Sequence, residues 1–417
     1  MPFVPSWATA LVVLQLWAPP TEDRCRKGPL DRASVIACAT RDNPRLQADE
    51  AAMTVASARR STARVVLPSH PELEVLGATR KAPGIPRNWN LYGTLRQELE
   101  VGGQRRRRID VAASEHEVAS AHARTTRRDV VADALLAYYD VLAARERRVL
   151  VEQARRVSGA LASLAAARTK AGAEAGLTAD LAEIAAVALE RGALEHARAE
   201  AVADATLARL LGLSAHDLPP VTGSLVPIEL PERAAAPSIR TELAEARATE
   251  RLRVRETALV RRQLVPNPSV SLFVQRDGFA ELVVGAGIAL PLPLPGPVGP
   301  LAKSRVAEAR AREREAGLQS AAIVRGIELE VDVTREDLRT RKAMATLYTE
   351  DLLTRARADL DALAKALTDG QLDVRGALLA QQQLLEFIEG DIDARHEACR
   401  AAISAARARG IDWKDLP

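Results

Sequence analysis

The chain has 417 residues, which is enough for one large domain or several smaller ones. Its 58 basic and 55 acidic residues nearly balance, which excludes a polycation that binds nucleic acid through net charge alone. Aromatic residues make up only 3%, and Ala, Leu, Arg and Glu dominate. This composition is typical of long helices rather than of a compact, aromatic-rich core.

The N-terminal segment carries an apolar run from Trp7 to Ala18. The run is too short to span a bilayer as a helix, and it suits the apolar centre of a secretory signal. We therefore predict a signal peptide over residues 1–27, in preference to an ordinary apolar N-terminus. No apolar stretch elsewhere is long enough to predict a transmembrane helix.

The three cysteines, Cys25, Cys38 and Cys399, have no metal-binding spacing and are too few for a disulfide framework. A Cys25–Cys38 bridge would need an oxidising compartment. Isolated thiols are favoured over this bridge, and the roles of the three residues stay open.

A first structural unit is predicted over residues 31–213. It starts with a helix, in which Asn43 and Pro44 form a cap and first-turn pair. Two strands follow at about 72–80 and 88–101, where apolar and polar residues alternate. A proline-free helix over 104–170 then extends for about 100 Å, and a return helix covers 179–211.

Residues 214–236 form a proline-rich connector, and the same order of elements then recurs over residues 237–410. The second unit has a helix, strands at about 269–276 and 280–292, a long helix over 302–367 and a return helix over 373–409. This recurrence predicts an internally duplicated, mixed α and β fold.

The four predicted strands are amphipathic and about ten residues long, which matches strands that cross a membrane. Four strands are too few to close a barrel, because the smallest usual barrel has about eight. Several chains would have to share one barrel, and three chains would supply twelve strands. The alternative is a periplasmic or soluble coiled-coil scaffold without channel activity, whose small sheet is water-exposed.

Several segments together resemble the TolC-like outer membrane efflux protein family, and most closely its heavy-metal and cation efflux branch. They include "LPSHPELEV", "QELEVGGQRRRRID", "VPNPSVSLFVQ" and "DVRGALLAQQQLLE". The resemblance implies a homotrimer with a twelve-stranded β-barrel in the cell outer membrane, continued by a long α-helical barrel in the periplasm. It also implies a passive exit duct that receives metal cations or drugs from an inner-membrane pump and a periplasmic adaptor.

By the same resemblance, the two glycine-containing breaks between long helices are hairpin tips that contact the adaptor. Glycine lets the chain reverse, and an exposed apolar residue offers a contact for a partner helix. The predicted tip residues are Gly172, Gly176, Leu177, Thr178, Gly370, Leu372, Asp373 and Val374.

Two further sets of residues are predicted to serve a channel. Asp359 and Asp361 are candidate gate residues, because carboxylates near the tips would favour cations. The apolar sides of the strands are predicted to face lipid. They comprise Trp89, Leu91, Leu95, Leu99, Val270, Leu272, Val274, Leu282, Val284 and Ile288.

Nothing in the sequence predicts an enzyme. The six histidines form no metalloprotease motif, and neither a nucleophile elbow nor a phosphate-binding loop is present. We therefore predict no catalytic residue, no metal site and no cofactor. Arg105–Arg108 could indicate a nucleic-acid patch, but aromatic stacking residues are absent, so a contact at a membrane border is favoured.

Overall fold

The computed structural model describes residues 25, 28–231, 240–276, 281–292, 302–411 and 413. Apart from Cys25, the predicted signal peptide over residues 1–27 lies outside these ranges. Eight α-helices and four strands are present within the described residues. In chain order they are α1 Arg32–Asp42, α2 Pro44–Ala63, β1 Glu72–Ala82, β2 Ile85–Glu98, α3 Gln104–Lys170, α4 Gly176–Leu210, α5 Thr241–Gln263, β3 Ser269–Arg276, β4 Leu282–Ala289, α6 Ala302–Ala345, α7 Glu350–Thr368 and α8 Val374–Arg409.

The helix predicted at the start of the first unit is two helices, α1 and α2, divided at Asn43. The Asn43 side chain accepts a hydrogen bond from the backbone N–H of Arg45 at 2.9 Å, as an N-cap does. Its amide also donates to the carbonyl oxygen of Leu210 at 2.7 Å. One residue therefore starts α2 and ties it to the end of α4.

The four strands form one antiparallel sheet in the order β1-β2-β3-β4. One cross-strand row joins Leu73, Leu95, Leu272 and Ala286. The adjacent row, on the other face, joins Glu72, Arg96, Ser271 and Gly287. One face of the sheet is thus aliphatic and the other is mostly polar or small, as the period-two pattern predicts.

The observed strands β2 and β4 differ in their bounds from the predicted ones. β2 covers Ile85–Glu98 rather than 88–101, and β4 covers Leu282–Ala289 rather than 280–292. Leu99 therefore follows the strand, where its backbone N–H donates to the carbonyl oxygen of Pro268 at 2.9 Å. The two glycines after Glu100 lie between sheet and helix, and Gly103 has a φ of +74°.

The helix α3 has 67 residues and is the spine of the helical part. It packs against α1, α2, α4, α5, α7 and α8. Its most buried stretch runs over residues 130–144 and is rich in alanine, which lets helices approach closely. No helix in the described part is both long and apolar enough to cross a membrane.

The prediction of one long helix over 302–367 is wrong, because α6 ends at Ala345 and α7 begins at Glu350. Tyr348 lies in the break, with its ring 5.2 Å from that of Phe387. A Cβ at Gly390 would lie 2.6 Å from the Tyr348 hydroxyl oxygen, so only glycine leaves room for this ring. The break contains neither proline nor glycine and gives no signal in the sequence.

The favoured interpretation of the cysteines as isolated thiols is wrong for two of them. Cys25 and Cys38 form a disulfide, with both residues buried. It fastens the segment before α1 to α1 itself. Nearby, Leu30 and Val221 form a parallel β-bridge. Cys399 is a free, buried thiol, and burial raises its pKa to about 12.

We expect the substitution Cys38→Ser to lower the free energy of unfolding by about 3 kcal/mol. The disulfide closes a short loop, and closing a loop of this length typically stabilises a protein by about that much. Thermal melting with and without a thiol reductant measures it. The reductant should lower the melting temperature of the wild type but leave Cys38→Ser unchanged. Cys399→Ala keeps the bridge and should stay sensitive to the reductant. An equal response of both variants would contradict a structural disulfide.

Candidate functional site

The aliphatic face of the sheet is exposed in the single chain. Nine of the ten residues that were predicted to face lipid lie on this face within the strands and are exposed, whereas Leu99 lies beyond β2 and is half-buried. Trp89 is 71% exposed, Leu272 62% and Ile288 80%. A contiguous aliphatic surface of this kind is typical of a contact with membrane or protein.

The other face of the sheet is fitted mostly with polar and small residues. The larger apolar residues on this face are Leu76, Phe273 and Val283, and the Phe273 ring lies over Gly285, where a Cβ would overlap the ring. Within the described residues β1 and β4 each pair on one side only, so both edges of the sheet keep unpaired backbone groups. Such edges are templates for pairing with another chain.

The two predicted hairpin tips lie side by side. The Arg168 guanidinium near the first tip donates to the carbonyl oxygen of Leu367 near the second at 3.0 Å. Gly172 and Gly370, with φ of +74° and +73°, reverse the chain at equivalent places. The left-handed conformation favours glycine at both positions.

The remaining tip residues divide into exposed and structural ones. Leu177 is 70% exposed, directly after Gly176 at the start of α4, and Thr178 is half-buried. Leu372 is half-buried and Val374 is fully buried, so Val374 offers no side chain to a partner. Asp373 caps α8, because its carboxylate accepts from the Gly376 N–H at 2.8 Å.

The two candidate gate residues are exposed on α7, but their contacts differ. Asp361 accepts a hydrogen bond from the Gln153 side chain on α3 at 2.6 Å. Asp359 takes part in no ion pair within the described residues. A groove of about 1180 Å³ lies farther along, between α4 and α8, and Leu189, Tyr348, Leu379 and Glu386 contribute to its lining.

Arg105 and Arg108 have a role that the sequence did not reveal. Arg105 donates to the Arg64 carbonyl oxygen at 2.8 Å, and Arg108 donates to that of Val65 at 3.0 Å. Arg108 also pairs with Glu100. The two guanidinium groups satisfy carbonyls at the C-terminal end of α2, where a helix has no backbone donors of its own.

A second group that sequence reasoning missed holds α5 against α3 and α6. Arg128 and Arg240 are both buried, and both contact Glu242. Arg240 also binds Glu330 at 2.9 Å. Burial opposes the charge of Glu242, but the hydrogen bonds from Arg240 and Arg128 outweigh it and lower its pKa to about 2.

A third set of charges joins α3 to α8. His396 and Arg400 contact Asp140 at 2.8 and 2.7 Å. Burial disfavours the Asp140 carboxylate, yet these two partners lower its pKa. Arg395 bridges Glu146 and the buried Asp391, both at 2.7 Å. These pairs fix the lengthwise position of α8 on α3.

Comparison with known proteins agrees with this geometry. Residues 35–213 match the family described as outer membrane efflux protein. The nickel-cobalt-cadmium resistance protein NccC of Alcaligenes xylosoxydans xylosoxydans is 28% identical over 284 residues, which cover 64% of this chain. The chain is a relative of the outer membrane efflux proteins. The match spans 63% of the length of NccC, which is less than two thirds of that protein.

Solved structures show the same fold as this efflux protein relative. The outer membrane protein VceC of Vibrio cholerae is 18% identical with a TM-score of 0.70, and the match covers 91% of this chain and 96% of VceC. The Campylobacter jejuni CmeC outer membrane channel is 13% identical with a TM-score of 0.73, covering 98% and 94%. The resemblance predicted from the sequence is confirmed, as is a mostly helical fold with a four-stranded antiparallel sheet.

The cluster of Glu242, Arg128, Arg240 and Glu330, the Glu242 cluster, should make the stability of the chain depend on pH. The pKa of Glu242 is lower in the folded chain than its ordinary value of 4.5, so its contribution is complete above that pH and is lost as the pH falls toward 2. We expect Glu242→Gln to cost on the order of 3 kcal/mol at neutral pH. The difference from wild type should shrink between pH 4.5 and 2.

Chemical denaturation at several pH values measures this effect. Glu250→Gln is the matched control, because Glu250 lies on the same helix and forms no ion pair within the described residues. A Glu242→Gln variant that is as stable as the control at pH 7 would contradict the assigned role of the cluster.

Proposed function

We propose that this chain forms the outer-membrane exit duct of a tripartite efflux system, as a homotrimer. The observation that carries the proposal is the exposed aliphatic face of a four-stranded sheet with two open edges. Both features are unfavourable for a single chain, and both are accounted for when copies of the sheet join edge to edge in a bilayer. The relationship to outer membrane efflux proteins supports the same conclusion.

The four strands of each chain support the proposed number of copies. Unpaired backbone groups in hydrocarbon each cost several kcal/mol, so the sheet must close on itself. Three chains supply twelve strands, which is within the usual range for membrane barrels. In both halves of the chain, helical structure precedes two strands and a helical hairpin follows them, which supports an internal duplication and a helical barrel below the strands.

The cargo that we propose is a metal cation, with drugs as the alternative class. NccC, the curated relative, is described as a nickel, cobalt and cadmium resistance protein. Deleting the gene and measuring growth with nickel, cobalt, cadmium and organic drugs tests the class of cargo. Increased sensitivity to metals is expected. A strain with unchanged tolerance to all of them would contradict an efflux role.

The hairpin tips are proposed to dock a periplasmic adaptor, which in turn contacts an inner-membrane pump. Leu177 supports this proposal, because a leucine that is 70% exposed beside a glycine turn is a suitable anchor for a partner helix. Asp361 and Gln153 are proposed to hold α7 against α3 in a closed tip. Release of their hydrogen bond would widen the end of the helical barrel.

We expect Leu177→Arg to weaken crosslinking to the adaptor about tenfold, through the loss of one buried anchor, without changing the level of trimer. Crosslinking in membranes that contain adaptor and pump measures this. Val149→Arg is the control, because Val149 is 69% exposed on α3, away from the tips. Undiminished crosslinking by Leu177→Arg would remove Leu177 from the adaptor surface.

The alternative function is a scaffold without a channel. It predicts that the aliphatic face of the sheet does not contact lipid. If the aliphatic face meets lipid, Val274→Lys should prevent assembly, because a lysine there costs about 2–4 kcal/mol at the membrane centre. The neighbouring residue Gln275 lies on the other face, so Gln275→Lys is the control and should insert normally. Heat-sensitive trimers in outer-membrane extracts are the readout. Equal assembly of both variants would favour the scaffold.

A further inference from the structure

The junction between strands and helices brings four helix ends to one level. The end of α2 meets the start of α3, where Arg105 binds the carbonyl oxygen of Arg64. The end of α5 meets the same place, because the Gln104 side chain donates to the Val265 carbonyl oxygen at 3.1 Å. The start of α6 meets the end of α5 through Arg305 and Gln263, at 3.3 Å.

Exposed cations gather at these four helix ends. Six side chains there are exposed and form no ion pair within the part of the chain that the structure describes, and three come from each half. These junction cations are Arg60, Arg64, Arg106, Arg261, Arg262 and Lys303.

Four acidic side chains near this level have partners within the chain. Glu98 accepts from Asn267 at 2.8 Å, and Glu100 pairs with Arg108. Asp110 pairs with Arg107 at 3.2 Å, and Glu308 pairs with Arg312. The junction cations are exposed and are therefore accessible to an anion from outside the protein.

Apolar side chains continue each basic segment toward the strands. Val65, Val66 and Leu67 follow Arg64, and they are 53%, 69% and 40% exposed. Leu264 and Val265 follow the arginines of α5, and each is 38% exposed. Cations next to exposed aliphatic groups fit an amphiphile with a negatively charged head. A free anion or a nucleic acid has no acyl chain that could pack against the aliphatic groups.

We propose that the junction cations form a belt that binds the headgroups of anionic phospholipids, in the leaflet where the barrel meets the helices. This inference rests on the proposed function, which places the strands in a bilayer. Arg105 and Arg108 are not part of the belt, because they cap α2. The belt would set the depth of the barrel in the membrane and hold lipid around the trimer.

The test compares two variants of the full chain in detergent by native mass spectrometry. The belt variant replaces all six junction cations with glutamine. The control variant replaces six exposed cations that form no ion pair among the described residues and that lie on the helices away from the junction. It therefore removes the same charge. Its substitutions are Arg156→Gln, Arg198→Gln, Arg209→Gln, Arg247→Gln, Arg325→Gln and Lys365→Gln.

The probes are phosphatidylglycerol and phosphatidylcholine at equal concentration. The wild type and the control variant should bind phosphatidylglycerol about tenfold more tightly, and added salt should weaken this preference. The belt variant should bind the two lipids equally. An unchanged preference for phosphatidylglycerol in the belt variant would overturn the proposal. Dissociation of the belt variant's trimer together with an unchanged preference would overturn it too, since the cations would then serve subunit contacts.

A further arm separates lipid from a simple anion. Inorganic phosphate should displace phosphatidylglycerol no better than chloride at matched ionic strength, and specific displacement by phosphate would overturn the lipid assignment. Ion conductance of the wild type in planar bilayers tests the channel separately. A wild type that conducts but has no lipid preference would overturn the belt alone. A wild type that never conducts would count against the channel itself.

Discussion

The central constraint on this structure is that a backbone group without a hydrogen-bond partner is costly in hydrocarbon. The sheet has an aliphatic face that favours a bilayer and two edges that a bilayer does not tolerate. Neither property is satisfied within one chain. In the proposed assembly, copies of the sheet close on one another, which would satisfy both and bring the helices that follow β2 and β4 into a ring. The proposed helical barrel would then be a consequence of how the strands close.

The helical part obeys a different constraint, since its core is rich in alanine. Alanine allows close packing but gives each helix little to fix its lengthwise position on the next. The buried and half-buried ion pairs fix this lengthwise position. Glu242 does so between α3 and α5, and Asp140 between α3 and α8. Removing one partner of such a pair leaves an unpaired buried charge. A substitution at one of these few sites should therefore lower the free energy of unfolding strongly.

Patterns local in sequence predicted the features that depend on local physics. Alternation in β2 and β3 placed Leu95 and Leu272 on the apolar face, and the glycines at 172 and 370 indicated chain reversals. The break at Tyr348 depends on space at Gly390, 42 residues away along the chain. The arginine caps, the burial of Val374 and the Cys25–Cys38 disulfide depend in the same way on packing that no window of sequence contains.

The central claim is that one chain is an incomplete channel and that copies of it complete the barrel. Native mass spectrometry of the complex extracted from outer membranes with detergent tests this claim most directly. The account predicts a species with the mass of three chains that separates into single chains on heating. A single chain that leaves the membrane fraction without detergent would contradict it.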